Sequence, residues 1–385
     1  MQKLYISSIM VLLVMFLNGC SIMDRSHFGS LSLHDSDFVT SIVVGSETFS
    51  DWHRGASYII RSSSGNISPY GMLLSEIYNH FNDVFDIIFV ISNRDDSDVA
   101  AIDTGYYGLL ISDVDAHASL GVSKLRGIIH LPFLNGLNYG PSLHEILHLY
   151  ANFDIETYSI VSWDEAGNPV SGRQYSHWGY TATGYGRSLP LIDNDDVKFS
   201  MGGQLGGFST TELSVIDDPG ADGIGTWRVN GGFGSFANGG NSVPYADLEL
   251  YLMGLDPQND FTEDIIYFSD IQAFRTEERD EDSWYTGCHS AKRYNHVFTA
   301  KKNLFPLSDL SLSRPEPETE LRALTLVLTQ TALDAATWTD MEAQIRGFSK
   351  KGSDGNDCSY NFFEATFGQA TINMGTLSSS LQQSN

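Results

Sequence analysis

The pentapeptide His144-Glu145-Ile146-Leu147-His148 constrains the fold of this chain more than any other stretch. Two histidines four residues apart face the same way on an α-helix, where positions i and i+4 lie one above the other. Placed like this they can bind one cation between them, with Glu145 beside it. The neighbouring residues respect that geometry. Leu143, Leu147 and Tyr150 fall on a side suited to a core, whereas His144 and His148 form a separate stripe that can line a cleft. Gly140-Pro141 stands just before them, and proline is at home in a first helical turn, so a helix over 141–152 is expected.

Composition adds two bounds. A net charge of −26 excludes nucleic acid as a partner, because its phosphates would be repelled. A length of 385 residues accommodates one large domain or two ordinary ones. Residues 1–19 read as a lipoprotein signal peptide. Lys3 gives a short positive start, and residues 4–17 are apolar over a span too short to cross a membrane comfortably. Leu17-Asn18-Gly19-Cys20 resembles a bacterial lipobox. That resemblance implies a lipid (palmitate) anchor on Cys20 and an extracytoplasmic location. With Ser21 rather than Asp next, it points to the outer membrane, on its periplasmic or surface-exposed side. Residues 20–38 are polar and serine-rich and read as a flexible tether. Two cysteines remain, Cys288 and Cys358, and in an exported protein they are expected to form one disulfide.

The remainder, 39–378, alternates helical and strand-like patterns. A helix is expected over 69–85, where Leu74, Ile77, Tyr78, Phe81 and Val84 recur at helical spacing. Short apolar runs at 87–91, 108–111 and 125–131 read as strands. Residues 200–243 carry four Gly-Gly pairs among β-like runs with Trp and Phe, which reads as loops and hairpins. A second helix is expected over 244–255 and a strand over 321–329. Thr339 and Glu342 make a capping box opening a helix to Phe348, and a last turn or helix falls at 361–366. A C-terminal subdomain from about residue 260 is a candidate division.

The order of a helix, several strands and a metal-binding helix resembles the N-terminal half of zincin-type zinc metallopeptidases. Further stretches resemble a group of bacterial metallopeptidase lipoproteins: Arg126-Gly127-Ile128-Ile129-His130-Leu131-Pro132, Gly140-Pro141-Ser142-Leu143-His144-Glu145, His177-Trp178, Met201-Gly202-Gly203 and Leu248-Glu249-Leu250-Tyr251-Leu252-Met253-Gly254-Leu255. The likeness spans about 40–375. It implies an α+β, zincin-like fold with a mixed sheet, one catalytic Zn²⁺ held by His144 and His148, and hydrolysis of a peptide or protein substrate with Glu145 as general base.

The third metal ligand stays open between two residues. Metzincins draw a third His from just beyond the helix, with a Met-bearing turn below the metal. The usual H-E-x-x-H-x-x-G-x-x-H spacing is absent here, so His177 fits as third ligand across an insertion, with Met201 as the candidate Met-turn. Gluzincins use a Glu from a second helix. Glu249, in an almost wholly apolar segment, is the alternative third ligand or a partner that orients one, since a lone carboxylate is costly to bury there.

Other groups are expected to matter less. His130 reads as a satisfied strand histidine, and His289 and His296 as surface residues beside Lys292 and Arg293. The clusters Asp193, Asp195, Asp196 and Asp217, Asp218, Asp222 offer hard oxygens suited to Ca²⁺. Neither follows an EF-hand spacing, so solvated loops are expected. No phosphate-binding loop, G-x-S-x-G or Cys/His nucleophile pattern is present. The competing reading is a non-catalytic cell-envelope or adhesion module on a metallopeptidase-like fold.

Overall fold

The computed structural model describes residues 28–33, 37–44, 69–93, 109–111, 122–131, 134–150, 155–174, 177–185, 201–230, 241, 243–255, 264–286, 289–310, 318–356 and 359–382. The signal peptide, Cys20, most of the tether, Cys288, Cys358 and the Asp193, Asp195, Asp196 cluster lie outside them, whereas residues 28–33, expected within the flexible tether, form a strand paired with 40–44. The architecture is mixed α+β, as expected.

The first sheet is built around continuous apolar runs. Strand β3 (Ile87–Ser92) is buried along its whole length, and its side chains alternate between two cores. Ile87, Phe89 and Ile91 join one, and Ile88 and Val90 the other. The strand β15 (Glu320–Thr329) divides in the same way, with Leu321, Ala323 and Val327 on one face and Leu324, Leu326 and Leu328 on the other. A sheet covered on both faces explains runs of apolar residues without polar alternation. One cover is helix α1 (Pro69–His80), through Leu73, Leu74 and Ile77. The other includes helix α3 (Ser142–Leu147), which carries the motif, and helix α5 (Ala335–Phe348).

The path across this sheet is β1 (Phe28–Leu33), β2 (Thr40–Val44), β15, β3, β5 (Gly127–Leu131), β4 (Leu109–Ile111). β15 runs parallel to both β2 and β3, β5 parallel to β3, and β4 antiparallel to β5. A strand from the C-terminal third therefore fills the middle of the N-terminal sheet. The expected subdomain from about residue 260 does not separate, because its strand is shared with elements before residue 100.

A second sheet has the order β11 (Ser214–Asp217), β12 (Ile224–Asn230), β14 (His289–Phe305), β13 (Ile265–Thr286), β8 (Gly179–Gly184), β10 (Gly206–Ser209), β9 (Met201–Gly203). Its aromatic core gathers Tyr180, Phe208, Trp227, Phe268 and Phe298. The glycine-rich stretch supplies two of its hairpins, as expected. The long β13–β14 hairpin was not legible, because charged residues interrupt its pattern. A separate hairpin, β6 (Thr157–Trp163) with β7 (Pro169–Gln174), fills the interval between His148 and His177.

Several boundaries differ for identifiable reasons. Helix α1 stops at His80 rather than reaching residue 85, since Asn82 N–H turns to Ser380 O and Asp83 receives the Ser123 and Lys124 N–H groups. Helix α5 starts at Ala335, because Asp334 caps it by accepting from Thr337 N–H at 2.7 Å. Thr339, read as a cap, lies inside the helix and donates to Ala335 O. The box at Asn361 and Glu364 does form and opens helix α6 (Phe362–Ala365).

His296 is a correction. It faces Tyr180 and Phe274, with ring centroids 6.2 and 5.1 Å away, rather than solvent. Burial lowers its pKa to about 4. Its unfolded value lies near 6.5, so its contribution to stability is present above about pH 6.5 and lost as pH falls through 4. Replacing His296→Phe should remove this term. Thermal melts from pH 7.5 to 4.5 should show the variant losing less stability on acidification than wild type, by on the order of 2 kcal/mol; parallel losses would refute the assignment.

Candidate metal centre

The motif helix is shorter than its pattern implied and buried all round. All six residues of α3 are buried, His144 and Glu145 among them. Its last turn tightens, with Leu149 N–H bonded to Ile146 O and Tyr150 N–H to Leu147 O, so the helix ends before the expected residue 152. His148 keeps helical dihedrals as the C-cap, which preserves the i, i+4 relation to His144.

Asn241 secures the start of this helix. Its side-chain oxygen accepts from Leu143 N–H at 3.2 Å. Its amide donates to Leu137 O, Asn138 O and Ser142 Oγ. One free N–H of the helix start is thereby satisfied. Tyr245 adds a bond from its hydroxyl to Leu143 O at 2.8 Å. Sequence reading missed Asn241, since a single Asn in a glycine-rich stretch carries no pattern.

His177 arrives from the second sheet. Its carbonyl accepts from Thr157 Oγ1 at 3.1 Å, and the next residue, Trp178, donates its N–H to Leu205 O. Gly179 follows with φ +55°, and a Cβ there would meet Tyr158 O at 2.2 Å. The His177-Trp178-Gly179 stretch thus turns sharply against β6 in a way only glycine permits.

Among the described residues, one group could hold a metal ion: His144, His148 and His177, whose ligand atoms all lie within 4.8 Å of one another. Nε2 of His148 is 3.2 Å, and Nε2 of His177 3.4 Å, from Nε2 of His144. Two nitrogens on a tetrahedral ion at roughly 2.1 Å are separated by roughly 3.4 Å, so the spacing suits a shared cation. His144 Nδ1 lies 2.8 Å from Gln204 O. A carbonyl only accepts, so Nδ1 carries the proton and Nε2 presents its lone pair to the group. Burial lowers the pKa of His144 to about 4, with the Gln204 carbonyl opposing and the His177 charge adding. Burial, then His144 and His177, lowers His148 further, and burial lowers His177. All three are held neutral, the form that binds metal.

The rival ligand sits elsewhere. Glu249, on helix α4 (Asp247–Leu252), is fully buried. Its Oε1 accepts from Trp178 Nε1 at 3.0 Å and Leu205 N–H at 2.9 Å. Its Oε2 accepts from Gln204 N–H at 2.9 Å and Ala246 N–H at 2.8 Å. Four donors occupy the acceptor capacity of a carboxylate. Glu249 lies outside the histidine group, and burial raises its pKa to about 7 against the pull of those donors.

The remaining candidates are placed as follows. Met201 opens β9, three residues before Gln204 of the turn at Gln204-Leu205 that touches His144 and Trp178. His130 is buried and bonded to Ser92 Oγ at 2.9 Å, the satisfied strand histidine expected. Asp217, Asp218 and Asp222 are exposed in the turn joining β11 and β12. The chain is thus a mixed α+β protein with a three-histidine group, His144 buried and the other two half-buried, able to hold a metal ion. No protein-family model, curated protein or solved structure matches it.

Gly179→Ala tests this construction. The added methyl would collide with Tyr158 O and strain the left-handed backbone, destabilising the fold by at least about 2 kcal/mol in urea denaturation and weakening metal uptake. Unchanged stability would show that the turn is not needed.

Proposed function

We propose that the protein is a zinc-dependent endopeptidase of zincin type, exported and held at the outer membrane by a lipid on Cys20. The observation that carries this reading is the gathering of His144, His148 and His177, with ligand atoms all within 4.8 Å of one another and two of the separations at 3.2 and 3.4 Å, next to Glu145 on the motif helix. Three ligands leave a fourth position open, as catalytic rather than structural zinc requires. The saturation of Glu249 by four donors favours such an open site over a closed one. The mixed first sheet, with the motif helix packed against β5 and β4, is compatible with the zincin arrangement. Ca²⁺ has less support, since no acidic group of this kind is assembled among the described residues.

His144, His148 and His177 would hold the zinc. A bound zinc supplies Lewis acidity, polarising the scissile carbonyl and acidifying water. Glu145 takes the proton from the attacking water as its oxygen bonds to the carbonyl carbon. It then delivers that proton to the amine nitrogen as the C–N bond breaks. The Gln204 carbonyl keeps His144 in the tautomer that offers Nε2.

Metal analysis and peptide-library cleavage test the reading together. Wild type should carry one zinc and cleave. Glu145→Ala should retain zinc and lose at least about 100-fold in kcat. His148→Ala should lose zinc. Wild-type protein without zinc affinity refutes the reading, and zinc-loaded wild type without hydrolysis moves the assignment to the cell-envelope binding module.

A further inference from the structure

Glu249 is buried, central and not needed for the chemistry above, so its position calls for a cause. Its four donors come from three places: the indole beside His177, the turn at Gln204-Leu205, and the entry to its own helix. Two of these govern the histidines. Trp178 is covalently next to His177 and is tied to the turn again through its N–H and Leu205 O. Gln204 supplies the carbonyl that accepts from His144 Nδ1. Gln204 is itself fully buried, and its side chain donates to Val243 O at 2.5 Å, beside α4. The backbone at Gly203 is fitted to the carboxylate, since a Cβ there would lie 2.1 to 2.3 Å from its atoms.

We propose that Glu249 is a positioning residue of the metal centre: its carboxylate clamps the 203–205 turn to Trp178, and through that turn fixes both the His144 tautomer and the approach of His177. The proposal rests on the three-histidine metal reading and adds a requirement outside the ligands. A carboxylate is uniquely suited, because all four partners donate and none accepts. A Gln side chain would turn its NH₂ on two of those N–H groups. An apolar residue would leave four buried donors unmatched.

The experiment is cobalt(II) titration of the purified full chain, followed by absorption spectroscopy, with circular dichroism to check folding and ¹⁵N spectra of the histidine rings in metal-free protein. Glu249→Gln should remain folded yet bind cobalt about 10- to 100-fold more weakly, with an altered d–d band. Its His144 should no longer be held as the Nδ1–H tautomer. Gly203→Ala, which pushes the carboxylate off its donors from the other side, should reproduce the shift. A folded Glu249→Gln with wild-type cobalt affinity, band and tautomer overturns the proposal. If that variant does not fold, Trp178→Phe decides, since it removes one donor and leaves the carboxylate in place. A loss of threefold or more in affinity supports the clamp, and wild-type affinity and band overturn it. Failure of wild type to bind cobalt is a separate result, which refutes the metal centre itself.

Discussion

Three imidazole nitrogens aimed at one point are an unfavourable arrangement in the absence of a cation. As neutral rings, Nε2 atoms 3.2 and 3.4 Å apart must share a proton or oppose lone pairs, and as charged rings they repel outright. Burial adds the cost of removing them from water. A chain adopts such a geometry only when the surrounding structure imposes it. Both sheets and the packing of α3 serve that condition. The motif helix is enclosed on every side, and Asn241 and Tyr245 fix its first turns. The strand bearing His177 is tied at one end to β6 and at the other to the 201–209 hairpin.

The two sheets divide the labour. The first is a slab with apolar side chains on both faces, and it gives the motif helix a flat, well-packed floor. The second has an aromatic core and several register shifts, and it brings His177 and the Gln204 carbonyl to His144. Nothing in the spacing between His148 and His177 needs to be short, because the intervening β6–β7 hairpin folds back on itself and packs on β13, with Thr157 holding the His177 carbonyl.

How much of this was legible follows from which signals are local. The pentapeptide, the strands at 87–92 and 320–329 and the short helix at 362–365 are patterns within a few residues, and each appeared close to its expected place. Boundaries failed where a distant partner intervened, as at His80, or where a better cap lay upstream, as at Asp334. The choice between His177 and Glu249 could not be made from the chain alone. His177 stands in a polar, turn-rich stretch and Glu249 in an apolar helix, and the donors that occupy Glu249 come from Trp178, Gln204 and Leu205, brought to it by tertiary folding. His296 was misplaced for a related reason. Charged neighbours suggested a surface, but in a strand the alternate residue faces the core.

The position of β15 has a temporal meaning. The strand that separates β2 from β3 is specified by residues 320–329, long after the histidines have been synthesised. A ribosome makes the N-terminal portion first, so the floor under the motif helix stays incomplete until residues 320–329 have been made. Contacts of such sequence separation are also slow to form. Assembly of the histidine group is therefore coupled to synthesis of residues 320–329 rather than to emergence of the motif.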